Sequence, residues 1–232
     1  MIDRLIAAIE AKNNPTVLGL DTRIEYFPES FASGFDLGDL KGAAEGIAAY
    51  NRELMDALAQ VVPAVKLQLA YYEMYGLWGL KAFAETIAYA KRKGFVVMVD
   101  GKRNDIGATA TAYAAAYLGE TALVGERVRA FDGDFLTVNP YLGADGVMPF
   151  VEACREHDKG IFVLVKTSNP SSGELQDKML GDKTVYETMG DFCETWGESL
   201  PGTYGYSGVG AVVGATYPAQ LAELREKLPH TF

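Results

Sequence analysis

The sequence predicts an α/β fold, a (β/α)8 TIM barrel truncated after about six strand–helix units, and two observations carry this. Short apolar runs rich in β-branched residues alternate with longer stretches of helical periodicity, which implies parallel strands joined by right-handed crossovers. Polar residues directly follow several of the apolar runs, where barrel enzymes place their functional groups. Open, doubly wound sheets also bind ligands along that edge, so the pattern favours the barrel and leaves the open sheet as its alternative.

Residues 16–20 (TVLGL) read as the first strand and run directly into Asp21. A helix follows over 40–59, with Ala, Leu and Ile at helical spacing. In the second strand, 64–69 (AVKLQL), Val65, Leu67 and Leu69 alternate with Lys66 and Gln68. One side is therefore apolar and the other presents an amine and an amide. A helix over 71–92 leads to the third strand, 94–99 (GFVVMV), which ends at Asp100 and Lys102; residues 105–118 form the next helix. The fourth strand, 135–138 (FLTV), precedes Asn139-Pro140, and the fifth, 160–165 (GIFVLV), precedes Lys166-Thr167-Ser168. Residues 208–213 (GVGAVV) and a helix over 217–228 make the sixth unit. Near-continuous apolar strands suit a sheet covered by helices. Pro229-His230-Thr231-Phe232 reads as the start of a seventh strand, so residues 1–232 are expected to be a single barrel domain lacking strands seven and eight.

The composition, 49% hydrophobic and 22% charged, is that of a globular domain able to bury a core without staples. Cys154 and Cys193 show no CxxC and no histidine read as standing in a metal-ligand spacing, which predicts structural thiols in a reducing cytoplasm and no metal. A net charge of −10 argues against a nucleic-acid partner. A small anionic ligand remains compatible, because Lys66, Lys102 and Arg103 can supply local positive charge. Met1 to Leu5 carries charges and no long apolar run, so it is no signal peptide, and no stretch is long enough to span a membrane.

The segment Val99-Asp100-Gly101-Lys102-Arg103-Asn104-Asp105-Ile106-Gly107-Ala108-Thr109 is the most informative. On an extended strand end, residues two apart project to one side, so Asp100 and Lys102 are expected to face one pocket. A plain strand-end ion pair is the competing reading. Asp105 precedes a helix and could serve only as its N-cap or first-turn acid. Lys66 stands in mid-strand, where lysine is rarely buried without a partner; a snorkelling lysine is the bland alternative, but flanking helices leave little surface to reach. Tyr71, Tyr72, Tyr75 and Trp78 fall at helical spacing and read as packing residues. His157 and His230 lack a catalytic partner, and Arg103 has no assigned role.

The Asp-x-Lys-x-x-Asp-Ile-x-x-Thr run from Asp100 to Thr109 resembles the signature of the orotidine 5′-phosphate decarboxylase family. Lys66-x-Gln68-x-Ala70-x-x-Glu73, Asn139-Pro140-Tyr141-Leu142-Gly143 and Lys166-Thr167-Ser168-Asn169-Pro170 resemble its prokaryotic branch with longer chains, and Leu18-Gly19-Leu20-Asp21 matches the end of its first strand. The likeness runs in order from about Thr16 to Tyr217.

This resemblance implies a metal-free and cofactor-free array of Lys66, Asp100, Lys102 and Asp105 that converts orotidine 5′-phosphate to UMP. Lys102 matches the lysine that protonates pyrimidine C6, and Asp100 the carboxylate set against the substrate's own. Lys66 and Asp21 match residues at the ribose hydroxyls, Ser168 the serine that contacts the pyrimidine from a mobile loop, and Ile106 a wall of the apolar pocket for the departing carboxylate. The family is homodimeric, so Asp105 and Thr109 would serve the neighbouring subunit. The family's phosphate grip, a glycine-rich loop after strand seven and an arginine near strand eight, finds no match before Phe232, and an incomplete copy of a longer enzyme is the resulting expectation. Two alternatives are a Mg²⁺-dependent keto-sugar-phosphate decarboxylase on the same scaffold and a non-catalytic truncated barrel.

Overall fold

The computed structural model describes residues 1–232 and divides into two units. The first comprises Arg4–Gly101 with Ala130–Asp134; the second comprises Met1–Asp3, Lys102–Arg129 and Phe135–Phe232.

In the first unit, β1 (Val17–Leu20), β2 (Ala64–Gln68) and β3 (Val96–Arg103, whose last two residues belong to the second unit) run parallel. Leu20 pairs with Leu67, Leu67 with Val99, and Gln68 with Asp100, so the strands end nearly level. Leu20, Val65, Leu67, Val97 and Val99 are fully buried and supply the core between sheet and helices. The helices of this unit are α1 (Ile2–Lys12, whose first two residues belong to the second unit), α2 (Glu29–Ala32), α3 (Leu40–Leu58), α4 (Ala70–Glu73) and α5 (Gly76–Arg92). Asp39 caps α3 by accepting from the Lys41 and Gly42 amides, and Ala43, Ala44, Ile47, Ala48 and Met55 form its buried stripe. The single helix expected over 71–92 is two, because Gly76 adopts φ +59, a conformation that ends one helix and starts the next. Tyr72 and Tyr75 pack inside as expected, while Trp78 stays on the surface beneath Lys41 and Lys81.

In the second unit, β7 (Gly160–Lys166) lies between β6 (Phe135–Val138) and β10 (Val209–Val213), again all parallel. The helices are α6 (Gly107–Tyr117), α7 (Ala144–His157), α8 (Val185–Gly197) and α9 (Pro218–Lys227). Two short antiparallel ribbons, β4 (Thr121–Ala122) with β5 (Arg127–Val128) and β8 (Met179–Leu180) with β9 (Lys183–Thr184), had no legible sequence signal. Thr184 and Glu187 close a capping box on α8. Residues 229–232 form no assigned strand, yet they lie along β10: the Ala211 amide donates to the Phe232 carbonyl at 2.8 Å, and that of Ser207 to His230 at 2.7 Å. Cys154 and Cys193 are buried free thiols; burial pushes both pKa values up, that of Cys193 to about 12. No helix is long and apolar enough to cross a membrane.

Candidate active site

The carboxyl ends of β1, β2 and β3 gather polar groups within the first unit. Lys66 comes from the middle of β2, and its Nζ donates to Asp100 Oδ2 at 3.0 Å and to Asp21 Oδ1 at 3.4 Å. Gln68 Nε2 donates to the same Asp100 oxygen at 3.0 Å. Lys66 and Gln68 are two apart on one strand, so alternation brings both to one face, where the pairing of Gln68 with Asp100 sets the carboxylate between them. Asp100 is only 8% exposed, and a carboxylate so enclosed is costly unless charge and hydrogen bonds compensate it. Lys66 and Gln68 contribute to that compensation. Lys66 is therefore half-buried and held as an ion-pair partner rather than extended freely into solvent.

Beneath this cluster a buried chain of hydrogen bonds ties the strand ends to the helices. Thr22 donates to Asn51 Oδ1, and Asn51 Nδ2 donates to the Tyr72 hydroxyl at 2.9 Å. Burial drives the Tyr72 pKa upward, so its hydroxyl stays neutral over any physiological range.

β3 continues past the expected end at residue 99 through Asp100 and Lys102 to Arg103. The strict alternation expected to align Asp100 with Lys102 does not reach Lys102, whose φ is +47. Of the four non-glycine residues with positive φ, the others are Asn13, Asp132 and Asp158, types that tolerate the left-handed region. Lys102 is the exception. Its amide is held by the Thr137 hydroxyl oxygen at 2.9 Å, and its side chain is exposed at the strand end. Such strain, of about 1 kcal/mol, persists where surrounding contacts over-determine it, commonly at functional sites.

Arg103 turns back so that its guanidinium lies over the Tyr113 and Tyr117 rings of α6 at 5.4 and 5.7 Å. Asp105 does not cap α6. The N-cap is Ile106, without a side-chain bond, and Asp105 Oδ1 accepts from the adjacent Ile106 amide at 2.8 Å. Thr109 is exposed in the first turns of α6, and Ile106 is 55% exposed, an unusual state for isoleucine. Ser168 is exposed just past the end of β7.

Sequence reasoning thus anticipated Lys66, Asp100 and Asp21 as neighbours, and the structure brings them together. It left Gln68 without a role, although its spacing from Lys66 was the available signal. It named Lys166 only as a polar residue at a strand end and missed its complete burial. No cluster of three or more His, Cys, Asp or Glu side chains is arranged to hold a metal ion. A cavity of about 460 Å³ lined by Glu194, Tyr206, Ser207 and His230 contains none of these residues.

The sequence pattern of the "Orotidine 5'-phosphate decarboxylase / HUMPS family" matches residues 30–229. The chain is 44% identical to the orotidine 5'-phosphate decarboxylase of Caldicellulosiruptor bescii, over 99% of this chain and 76% of that one. It is also 44% identical to the protein of that name from Rhodopirellula baltica, over 98% and 74%. Among solved structures, the Leishmania donovani OMP decarboxylase superposes with a TM-score of 0.78 at 28% identity, covering all of this chain and 77% of that one. A match over most of the chain, joined to relatives of this identity and coverage, establishes that the chain belongs to the orotidine 5'-phosphate decarboxylase / HUMPS family.

Proposed function

We propose that this chain decarboxylates orotidine 5′-phosphate to UMP, the last step of de novo pyrimidine nucleotide synthesis. The observation that carries the reading is the enclosed Lys66–Asp100–Gln68 cluster, with Lys102 two residues further along the same strand on a strained backbone. In the reaction the bond from pyrimidine C6 to the carboxylate breaks, carbon dioxide leaves, and the electron pair stays on C6. Lys102 Nζ stabilises that charge as it develops and then gives C6 its proton, afterwards regaining one from solvent. A fixed cation beside a developing carbanion acts most strongly where water is excluded, and the same group serves as general acid.

Asp100, oriented by Lys66 and Gln68, faces the substrate carboxylate. Asp21 and Lys66 meet the ribose hydroxyls, and Ser168 meets the pyrimidine. Ile106 walls the space for the leaving carboxylate, and its exposure here supports a role completed by substrate or a second copy. Asp105 and Thr109 act in the neighbouring subunit of a homodimer, in the cytoplasm, and the six strand–helix repeats belong to a (β/α)8 barrel. The solved structure of like fold supports the barrel, and the exposure of Thr109 and Ile106 is what action across an interface would require.

The test is release of carbon dioxide from carboxyl-labelled orotidine 5′-phosphate, followed with UMP formation in the presence of EDTA. Equal amounts of both products, undiminished by the chelator, are expected. Loss of turnover on chelation would favour the metal-dependent alternative. For the dimer, mixing inactive Asp105→Ala with inactive Lys102→Ala should restore part of the activity, since one mixed site is then intact; no recovery would contradict action across subunits.

A further inference from the structure

Lys166 closes β7 and is 0% exposed, although lysine is almost never fully buried without partners. Its Nζ donates to Asp177 Oδ1 at 2.7 Å and to Ser172 Oγ at 3.0 Å. The face of the Tyr217 ring lies 4.6 Å away, within cation–π range, and the Tyr186 ring lies at 5.8 Å. None of the residues given a role in the reaction is among these partners. Ser172 belongs to the short helical turn Pro170–Glu174, Asp177 follows that turn, and Tyr217 begins α9. One ammonium thus joins two points of the loop that follows Ser168 to the start of α9.

The rest of the loop is built to match. The Thr167 amide donates to Gln176 Oε1 at 2.9 Å, and Gln176 Nε2 returns a bond to Thr167 Oγ1 at 2.7 Å, closing residues 167–176 into a ring. The Gly214 amide donates to the Lys166 carbonyl at 2.7 Å. A Cβ at position 214 would lie 2.8 Å from the Ser168 amide nitrogen and Cα, so only glycine lets the end of β10 approach this closely. Ser168 is left with a held backbone and an exposed side chain.

We propose that Lys166 is a positioning residue: tied to Asp177, Ser172 and Tyr217, it fixes the loop that presents Ser168 to the pyrimidine. The proposal rests on the reading of Ser168 given above, and two measurements separate the two. Hydrogen–deuterium exchange over residues 167–177 of the full chain reads loop order without any substrate. In Lys166→Met, which keeps the apolar stem, exchange in that segment should quicken at least about tenfold, with the remainder of the protein unchanged. Asp177→Asn, altered at an exposed partner, should do the same to a smaller degree and serves if Lys166→Met fails to fold.

Turnover of orotidine 5′-phosphate then places the effect. Displacing a contact by about 1 Å can cost about 100-fold in rate, so Lys166→Met should lose rate on that scale. In a Ser168→Ala background the same change should cost almost nothing further, because the group it positions is already gone. Unchanged exchange over 167–177 in both variants would overturn the proposal, as would a Lys166→Met rate loss that multiplies in full with that of Ser168→Ala. Faster loop exchange together with a Ser168→Ala enzyme of normal rate would instead count against the role of Ser168 and leave Lys166 as the anchor of the loop.

Discussion

Two lysines stand on strands of different units, Lys66 on β2 in the first and Lys166 at the end of β7 in the second, and each is paired with an aspartate. Their exposures are reversed. Asp100 is buried and the Lys66 side chain is 31% exposed, whereas Lys166 is fully enclosed and the Asp177 side chain is 47% exposed. In the first pair the buried member is the acid, and the lysine reaches toward the strand ends where a ligand can meet it. In the second the buried member is the lysine, and its charge is spent on Ser172 and two tyrosine rings. The same residue types leave a charge open to a ligand or enclose it according to which partner water can reach.

The largest separation of the two should be in rate. Asp100→Asn should slow decarboxylation by about 10³-fold, the scale of losing one preorganised electrostatic group, with the fold retained. Asp177→Asn, acting only through a loop, should fall well short of that; equal losses would erase the distinction.

Stability should divide the pairs by their lysines. Lys66→Met takes the charged donor from the enclosed Asp100 carboxylate, and should cost about 3 kcal/mol in urea unfolding. Lys166→Met leaves Asp177 to hydration and should cost about half as much. A larger loss from Lys166→Met would reverse the argument.

Thr137→Val removes the acceptor that holds the Lys102 amide within the second unit, and should lower stability by about 1 kcal/mol while slowing turnover. A variant with stability and rate both unchanged would show that the Lys102 backbone is fixed by other contacts.

A pair remote from the strand ends supplies the smallest effect. Lys227 and the Thr184 amide and hydroxyl hold the Glu187 pKa down to about 2. A carboxyl depressed on folding contributes stability above its unfolded pKa and loses it as pH falls toward the folded one. The advantage of wild type over Glu187→Gln should therefore be complete above about pH 5 and fade toward pH 2. It should be about 1 kcal/mol, since Lys227 is half exposed. A gap that widens on acidification would contradict the assignment.

How much of this was legible follows from where each contact comes from. The six core strands announced themselves because Val, Ile, Leu and Phe crowd into short runs between helical segments. The continuation of β3 did not, since Asp100, Gly101 and Lys102 have poor strand preference and are extended by context rather than by type. Lys66 and Asp100 could be suspected as partners from motif and alternation. The left-handed backbone of Lys102 could not, because nothing in lysine asks for it. The burial of Lys166 was equally hidden: its partners lie 6, 11 and 51 residues onward, and only the folded loop assembles them.

The most direct measurement is the rate of UMP formation from orotidine 5′-phosphate by the wild-type chain and by Lys102→Ala, both in EDTA, with UMP affinity determined for each. The account predicts turnover by the wild type, a loss of about 10⁴-fold or more in the variant, and UMP binding retained by both. Equal rates for the two proteins, or UMP binding by the wild type with no turnover, would contradict it.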